Sequence, residues 1–174
     1  MRWTLGVLLV PVLWLGCGES ASSSSGTTGG TTSTGGTSTP AYTCDGSCTC
    51  EESAATCTCT EGSTCEATCK GACRLGCEGD AQCDLTCGAD CTVDCANAGG
   101  CKAKVGPNAV ATCSATGICE IHCEGDCSLA CPAGAICLVH CAPGAKCSID
   151  GCPEVETCPK DVLACRTACP PITK

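Results

Sequence analysis

Between Cys57 and Cys152 cysteine returns every eighteen residues, with Cys65, Cys83, Cys101, Cys119 and Cys137 each opening a block. Each block holds two short words in which every member stands two positions from the next. They are Cys65-Ala67-Cys69, Cys73-Leu75-Cys77, Cys83-Leu85-Cys87, Cys91-Val93-Cys95, Cys101-Ala103-Val105, Ala109-Ala111-Cys113, Cys119-Ile121-Cys123, Cys127-Leu129-Cys131, Cys137-Val139-Cys141 and Cys147-Ile149-Gly151. A β-strand sends alternate side chains to the same face. The residues between the members are mostly polar, as in Glu66 and Thr68, Asp84 and Thr86, Lys102 and Lys104, Glu120 and His122. This period of two predicts strands with sulfur and aliphatic groups on one face and polar groups on the other. The connectors alternate between three residues (KGA, GAD, GPN, EGD) and five (EGDAQ, ANAGG, SATGI, PAGAI), rich in the Gly, Pro, Asn and Asp that turns need. The same residues would break any helix drawn through the cysteines.

Two strands per repeat, each too short to bury a core alone, imply stacked coils. The expected fold is all-β: a small, disulfide-rich, two-sheet β-solenoid of eighteen-residue coils spaced ~4.8 Å apart. An irregular N-terminal cap and a short helical C-terminal cap should close its ends, since an open solenoid end leaves backbone groups unpaired.

The chain has 27 cysteines, and Cys17 stands apart from the rest. The others are even in number, which permits full pairing. Val105 and Ala109 replace two cysteines that flank one three-residue turn, as the two ends of a single missing bridge would. Extended to every turn, that rule pairs Cys59 with Cys65, Cys69 with Cys73, Cys77 with Cys83, Cys87 with Cys91, Cys95 with Cys101, Cys113 with Cys119, Cys123 with Cys127, Cys131 with Cys137 and Cys141 with Cys147. Pairing within a coil, Cys65 with Cys77, leaves odd numbers on both sides and forces a bridge between the ends. Counting does not decide against vertical bridges between coils. A tight turn does bring Cα atoms into the ~4.4–6.8 Å range that a bridge requires. No aromatic residue follows Tyr42, so covalent staples must supply much of the stability that burial supplies elsewhere, and reduction should unfold the domain.

The chain divides into a leader at 1–16, a segment at 17–40, the N-terminal cap at 41–58, the repeats at 59–152 and the C-terminal cap at 153–174. The apolar run Leu5–Leu15 after Arg2 is too short for a comfortable membrane span and has the character of an export signal. Its ending, Trp14-Leu15-Gly16-Cys17, resembles the lipobox of bacterial lipoproteins, with Trp14 where that family prefers leucine. The resemblance implies acylation of Cys17. With Gly18 rather than aspartate following, it also implies the outer membrane, periplasmic or surface-exposed, with the bilayer as the partner of the acyl chains. Residues 18–40 are nearly all Ser, Thr and Gly, the composition of a flexible tether spanning roughly 25 Å. Pro159 can open a short helix running to Cys169 with no glycine inside it. The cysteine-repeat body resembles those of myxobacterial surface lipoproteins in pattern alone.

His122 and His140, the only histidines, stand one repeat apart. In a solenoid they stack on one outer face with Glu120 nearby, a weak Zn or Cu site if they act as ligands and two solvated side chains if they do not. Glu78 with Asp80 and Glu124 with Asp126, from the phrase CEGD, lack calcium-loop spacing and fit solvated turns. A net charge of −9 makes nucleic acid an improbable partner. The architecture resembles the disulfide-braced solenoids of insect antifreeze proteins but has no Thr-x-Thr ladder, so that function does not carry over. Metallothionein-like metal storage conflicts with export, because exported cysteines oxidise. No nucleophile–base pair, phosphate loop or zinc-hydrolase motif is present, and no enzyme activity or cofactor is expected. The sequence therefore points to a non-enzymatic envelope lipoprotein with a structural, adhesive or interaction role and an unidentified surface protein or glycan partner. The alternative is a secreted binding module for a metal ion or small ligand.

Overall fold

The computed structural model describes residues 41–50, 55–114 and 116–171. The leader, Cys17 and the Ser/Thr/Gly-rich segment lie outside them. Fifteen strands occur among the described residues: β1 (Ala41–Cys44), β2 (Ser47–Cys50), β3 (Thr56–Cys59), β4 (Thr64–Cys69), β5 (Arg74–Cys77), β6 (Gln82–Cys87), β7 (Thr92–Ala96), β8 (Gly100–Val105), β9 (Ala109–Ser114), β10 (Ile118–Cys123), β11 (Cys127–Ala130), β12 (Ile136–Cys141), β13 (Cys147–Asp150), β14 (Val155–Cys158) and β15 (Val162–Cys165). Odd-numbered strands β1 to β13 form one sheet of seven, and β2 to β12 form a second sheet that β15 and then β14 extend to eight. Each coil thus contributes one strand to each sheet, and coil stacks on coil in parallel.

The register carries the sequence period directly into space. Cys65, Cys83, Cys101, Cys119 and Cys137 lie opposite one another in a single column. Leu85, Ala103, Ile121 and Val139 form an aliphatic column beside it, and Leu75, Val93, Ala111, Leu129 and Ile149 form another in the opposite sheet. These columns fill the interior with cysteines, and no polar or charged residue is buried among the described residues. The turns stack as closely as the strands. Gly88, Gly106, Glu124 and Ala142 each donate a backbone hydrogen bond to the carbonyl nineteen positions earlier, at 2.8–3.1 Å. A Cβ on Gly106 would lie 2.6 Å from the Gly88 carbonyl carbon, so this turn needs glycine to let one coil sit on the next.

Thirteen disulfides join the 26 described cysteines. Nine span the turns of the repeats: Cys59–Cys65, Cys69–Cys73, Cys77–Cys83, Cys87–Cys91, Cys95–Cys101, Cys113–Cys119, Cys123–Cys127, Cys131–Cys137 and Cys141–Cys147. Cys44–Cys48, Cys50–Cys57, Cys152–Cys165 and Cys158–Cys169 complete the set. Where a bridge is missing, Val105 and Ala109 are both buried, aligned with Cys123 and Cys127 of the next coil.

Both ends depart from expectation. The stretch 41–50 is a coil of the stack rather than an irregular cap: β1 pairs with β3 and β2 with β4, both in parallel. The even-numbered Cys48 and Cys50 come into register because β2 and β4 are offset by nineteen residues, as in Cys50 opposite Cys69. The odd offset restores the pleat that an eighteen-residue shift would have broken.

At the other end the expected helix over 159–169 is absent, as is any helix among the described residues. Lys160 and Asp161 both take positive φ, 63° and 56°, and turn the chain into a hairpin whose second strand, β15, runs antiparallel to β12 and β14. Without β15 the edge of β12 would be left unpaired, and the Cys152–Cys165 bridge ties β15 to the chain just after β13. A four-residue strand closing a sheet satisfies more backbone groups at that edge than one helical turn can.

Candidate metal centre

The outward face of the eight-stranded sheet carries the chain's two histidines. Within β10, Glu120 and His122 are two residues apart and therefore point the same way. His140 of β12 stands directly opposite His122 in the parallel register. The two imidazoles stack with centroids 4.2 Å apart and planes within 6°. Both turn Nε2 toward one carboxylate oxygen: His122 Nε2 is 2.7 Å and His140 Nε2 3.3 Å from Glu120 Oε1.

His140 is the more enclosed of the two because the C-terminal hairpin flanks it, with Val162 of β15 opposite His140 and Ala164 opposite Leu138. Val162 and Ala164 pack with Cys158, Leu138 and Cys169 into a small second core on this outer face. Burial pushes the His140 pKa below the ordinary histidine value, and the neighbouring His122 and Lys102 charges add to that effect, outweighing the opposite pull of Glu120. For Glu120, partial burial alone would raise the carboxyl. The His122 hydrogen bond and the positive charges of His122, Lys102 and His140 more than offset it, and the carboxyl is held below its usual range. The result is an ionised carboxylate beside an imidazole biased to its neutral form, and those are the protonation states metal ligation requires.

Four groups of side chains bring three metal-ligating atoms within 4.8 Å of one another. Three of them, Cys44/Cys48/Cys57, Cys123/Cys127/Cys147 and Glu156/Cys158/Cys169, depend on cysteines already joined in disulfides. A disulfide sulfur is not the thiolate that binds metal. Glu120, His122 and His140 form the only such group, among the described residues, with every donor available. The oxidised state of all 26 described cysteines likewise leaves no thiolate cluster of the metallothionein kind.

The acidic turns do not assemble in the same way. Asp126 Oδ1 accepts the backbone N–H of Lys146 at 2.8 Å, which ties a turn to the next coil. Glu124 pairs with Lys104 at 2.7 Å where both are largely exposed. Val162 is the site component that sequence reasoning missed; its signal was the alternation of Val162 and Ala164, too short to separate from a helical turn.

A scan of protein-family models found none that matches this chain, and searches of curated proteins and of solved structures likewise found no match.

Proposed function

We propose that the domain is a non-catalytic, disulfide-stapled binding module that holds a divalent transition-metal ion through Glu120, His122 and His140. The observation that carries this reading is the convergence of both Nε2 atoms on Glu120 Oε1. Two imidazoles and one carboxylate are the donor set of zinc and copper(II) rather than of calcium or magnesium, whose ligands are oxygens. A bound ion would be held by Nε2 of both rings and a Glu120 carboxylate oxygen, in place of the present hydrogen bond. Parallel backbone pairing sets β10 and β12 in register, and a turn-spanning bridge staples each end of both strands whether or not metal is present, so the site belongs to a rigid scaffold.

The test is calorimetric titration of the full, oxidised chain with Zn²⁺. A single equivalent should bind, and His122→Ala or His140→Ala should each weaken it at least about tenfold, the lower end of what losing a single ligand's support costs a metal site. Affinity unchanged in both variants would retire the site.

The leader and the Ser/Thr/Gly-rich segment support an envelope location, with acyl chains on Cys17 anchoring the module and residues 18–40 acting as a spacer. Cys17→Ser should shift the protein from the membrane to the soluble fraction; continued membrane partition of that variant would count against the anchor.

A further inference from the structure

The geometry points to a second ligand at this centre: a small oxyanion, carboxylate or phosphate, bound to the metal and clasped by Lys102 and Lys104. The inference rests on the metal reading above and extends it to what the metal presents. Three protein donors leave a tetrahedral ion with one open position, the arrangement of sites that bind an exogenous ligand rather than closed structural sites. One carboxylate and two neutral imidazoles also leave a divalent ion with a net positive charge.

The neighbouring coil adds to that charge. In the register of β8 with β10, Lys102 lies opposite Glu120 and Lys104 opposite His122. Both lysines therefore rise from the same face one strand spacing away, ~4.8 Å, within easy reach of an anion at the open position. Lys104 spends its charge on Glu124 in an ion pair where both partners are mostly exposed, a contact weak enough to be exchanged. Lys102 has no carboxylate within 4 Å among the described residues. Yet the same face presents Asp84 to one side of it and Glu120 to the other.

Access is open. The side chains of His122, His140 and Lys104 are each partly exposed, and beside them a trough of about 910 Å³ on the same face is lined by Lys102 and Glu120 but not by those three. Asp84, next to Lys102, and Glu66 one strand beyond also line it and would repel an extended polyanion, so the ligand must be small enough to stay on the metal side of the lysines. A carboxylate or phosphate supplies an oxygen donor for the metal and further oxygens for two charge-assisted hydrogen bonds.

Equilibrium dialysis of the full chain against labelled inorganic phosphate and, separately, labelled succinate tests this, each with and without equimolar Zn²⁺. The Zn²⁺-loaded protein should retain about a single equivalent of at least one anion, and which arm succeeds separates phosphate from carboxylate. The Zn²⁺-free protein should retain neither. A Lys102→Gln/Lys104→Gln variant should hold Zn²⁺ at the same stoichiometry while anion affinity falls roughly tenfold or more. Neither anion retained by the loaded protein, equal retention without Zn²⁺, or undiminished retention by the lysine variant would overturn the second ligand and leave the metal site standing. No excess of Zn²⁺ on the wild-type protein's side of the membrane over the buffer side would overturn both.

Discussion

At the scale of single residues, the centre depends on what surrounds two imidazoles. Val162 and His122 sandwich His140 between strands, so protonating it costs more in the fold than in the unfolded chain. Its pKa is lowered, which means the stability it contributes is complete above the ordinary histidine range and is lost as pH falls through that range toward the folded value. Glu120, also lowered, acts with the same sign at more acid pH: its contribution is present above the ordinary carboxylate value and disappears below it. Acidification therefore works against both the empty and the metal-bound site, since protons and metal compete for the same atoms. Because the chain has only two histidines, their ring signals in a heteronuclear NMR titration can be followed individually. The His140 midpoint should lie below the ordinary histidine value, and Glu120→Gln should move it further down by removing the one neighbour that favours the charged ring. A midpoint at or above the ordinary value, or a rise in Glu120→Gln, would contradict this account of the site.

At the scale of strands and turns, each coil is held by bridges across its turns, with Cα separations of 5.5–6.6 Å throughout the molecule. The turn between β8 and β9 lacks one, and Val105 and Ala109 fill the place with buried aliphatic carbon. A Val105→Cys/Ala109→Cys variant should close a fourteenth bridge, lose two further mass units on oxidation and gain about 2 kcal/mol from the short loop. Two extra free thiols in that variant would show that this turn does not share the geometry of its neighbours. The repeated strands were legible because Cys83-Leu85-Cys87 and its counterparts alternate with charged residues that have no place inside. The ends were less legible. Parity set Cys48 and Cys50 apart from the repeats, and only a nineteen-residue offset, invisible without the pairing of β2 with β4, brings them back. Pro159 suggested a helix, but the exposed edge of β12 and the bridge from Cys152 to Cys165 outweigh local preference in a segment this short. For the centre, the shared face of His122, His140 and Glu120 followed from the period, whereas the enclosure of His140 did not, since it comes from β15.

At the scale of the whole molecule, one division of labour organises the repeats: sulfur is structural and faces inward, with the Cys158–Cys169 bridge of the C-terminal hairpin set on the outer face instead, while the groups able to bind a ligand face outward on the eight-stranded sheet. Disulfides replace the aromatic interior of an ordinary domain, and Leu75, Leu85, Ile121 and Leu129 are the largest side chains completely buried. Its bridges persist under oxidising conditions, and a surface site on such a scaffold can stay formed without a bound partner. The most direct test of this division is the Zn²⁺ content of the natively oxidised full chain after dialysis against Zn²⁺, measured together with its free thiols. The account predicts a single Zn²⁺ per chain with no free thiol in the 44–169 region. Several Zn²⁺ per chain rising in step with free thiols would contradict it, because the cysteines would then be the ligands and not the staples.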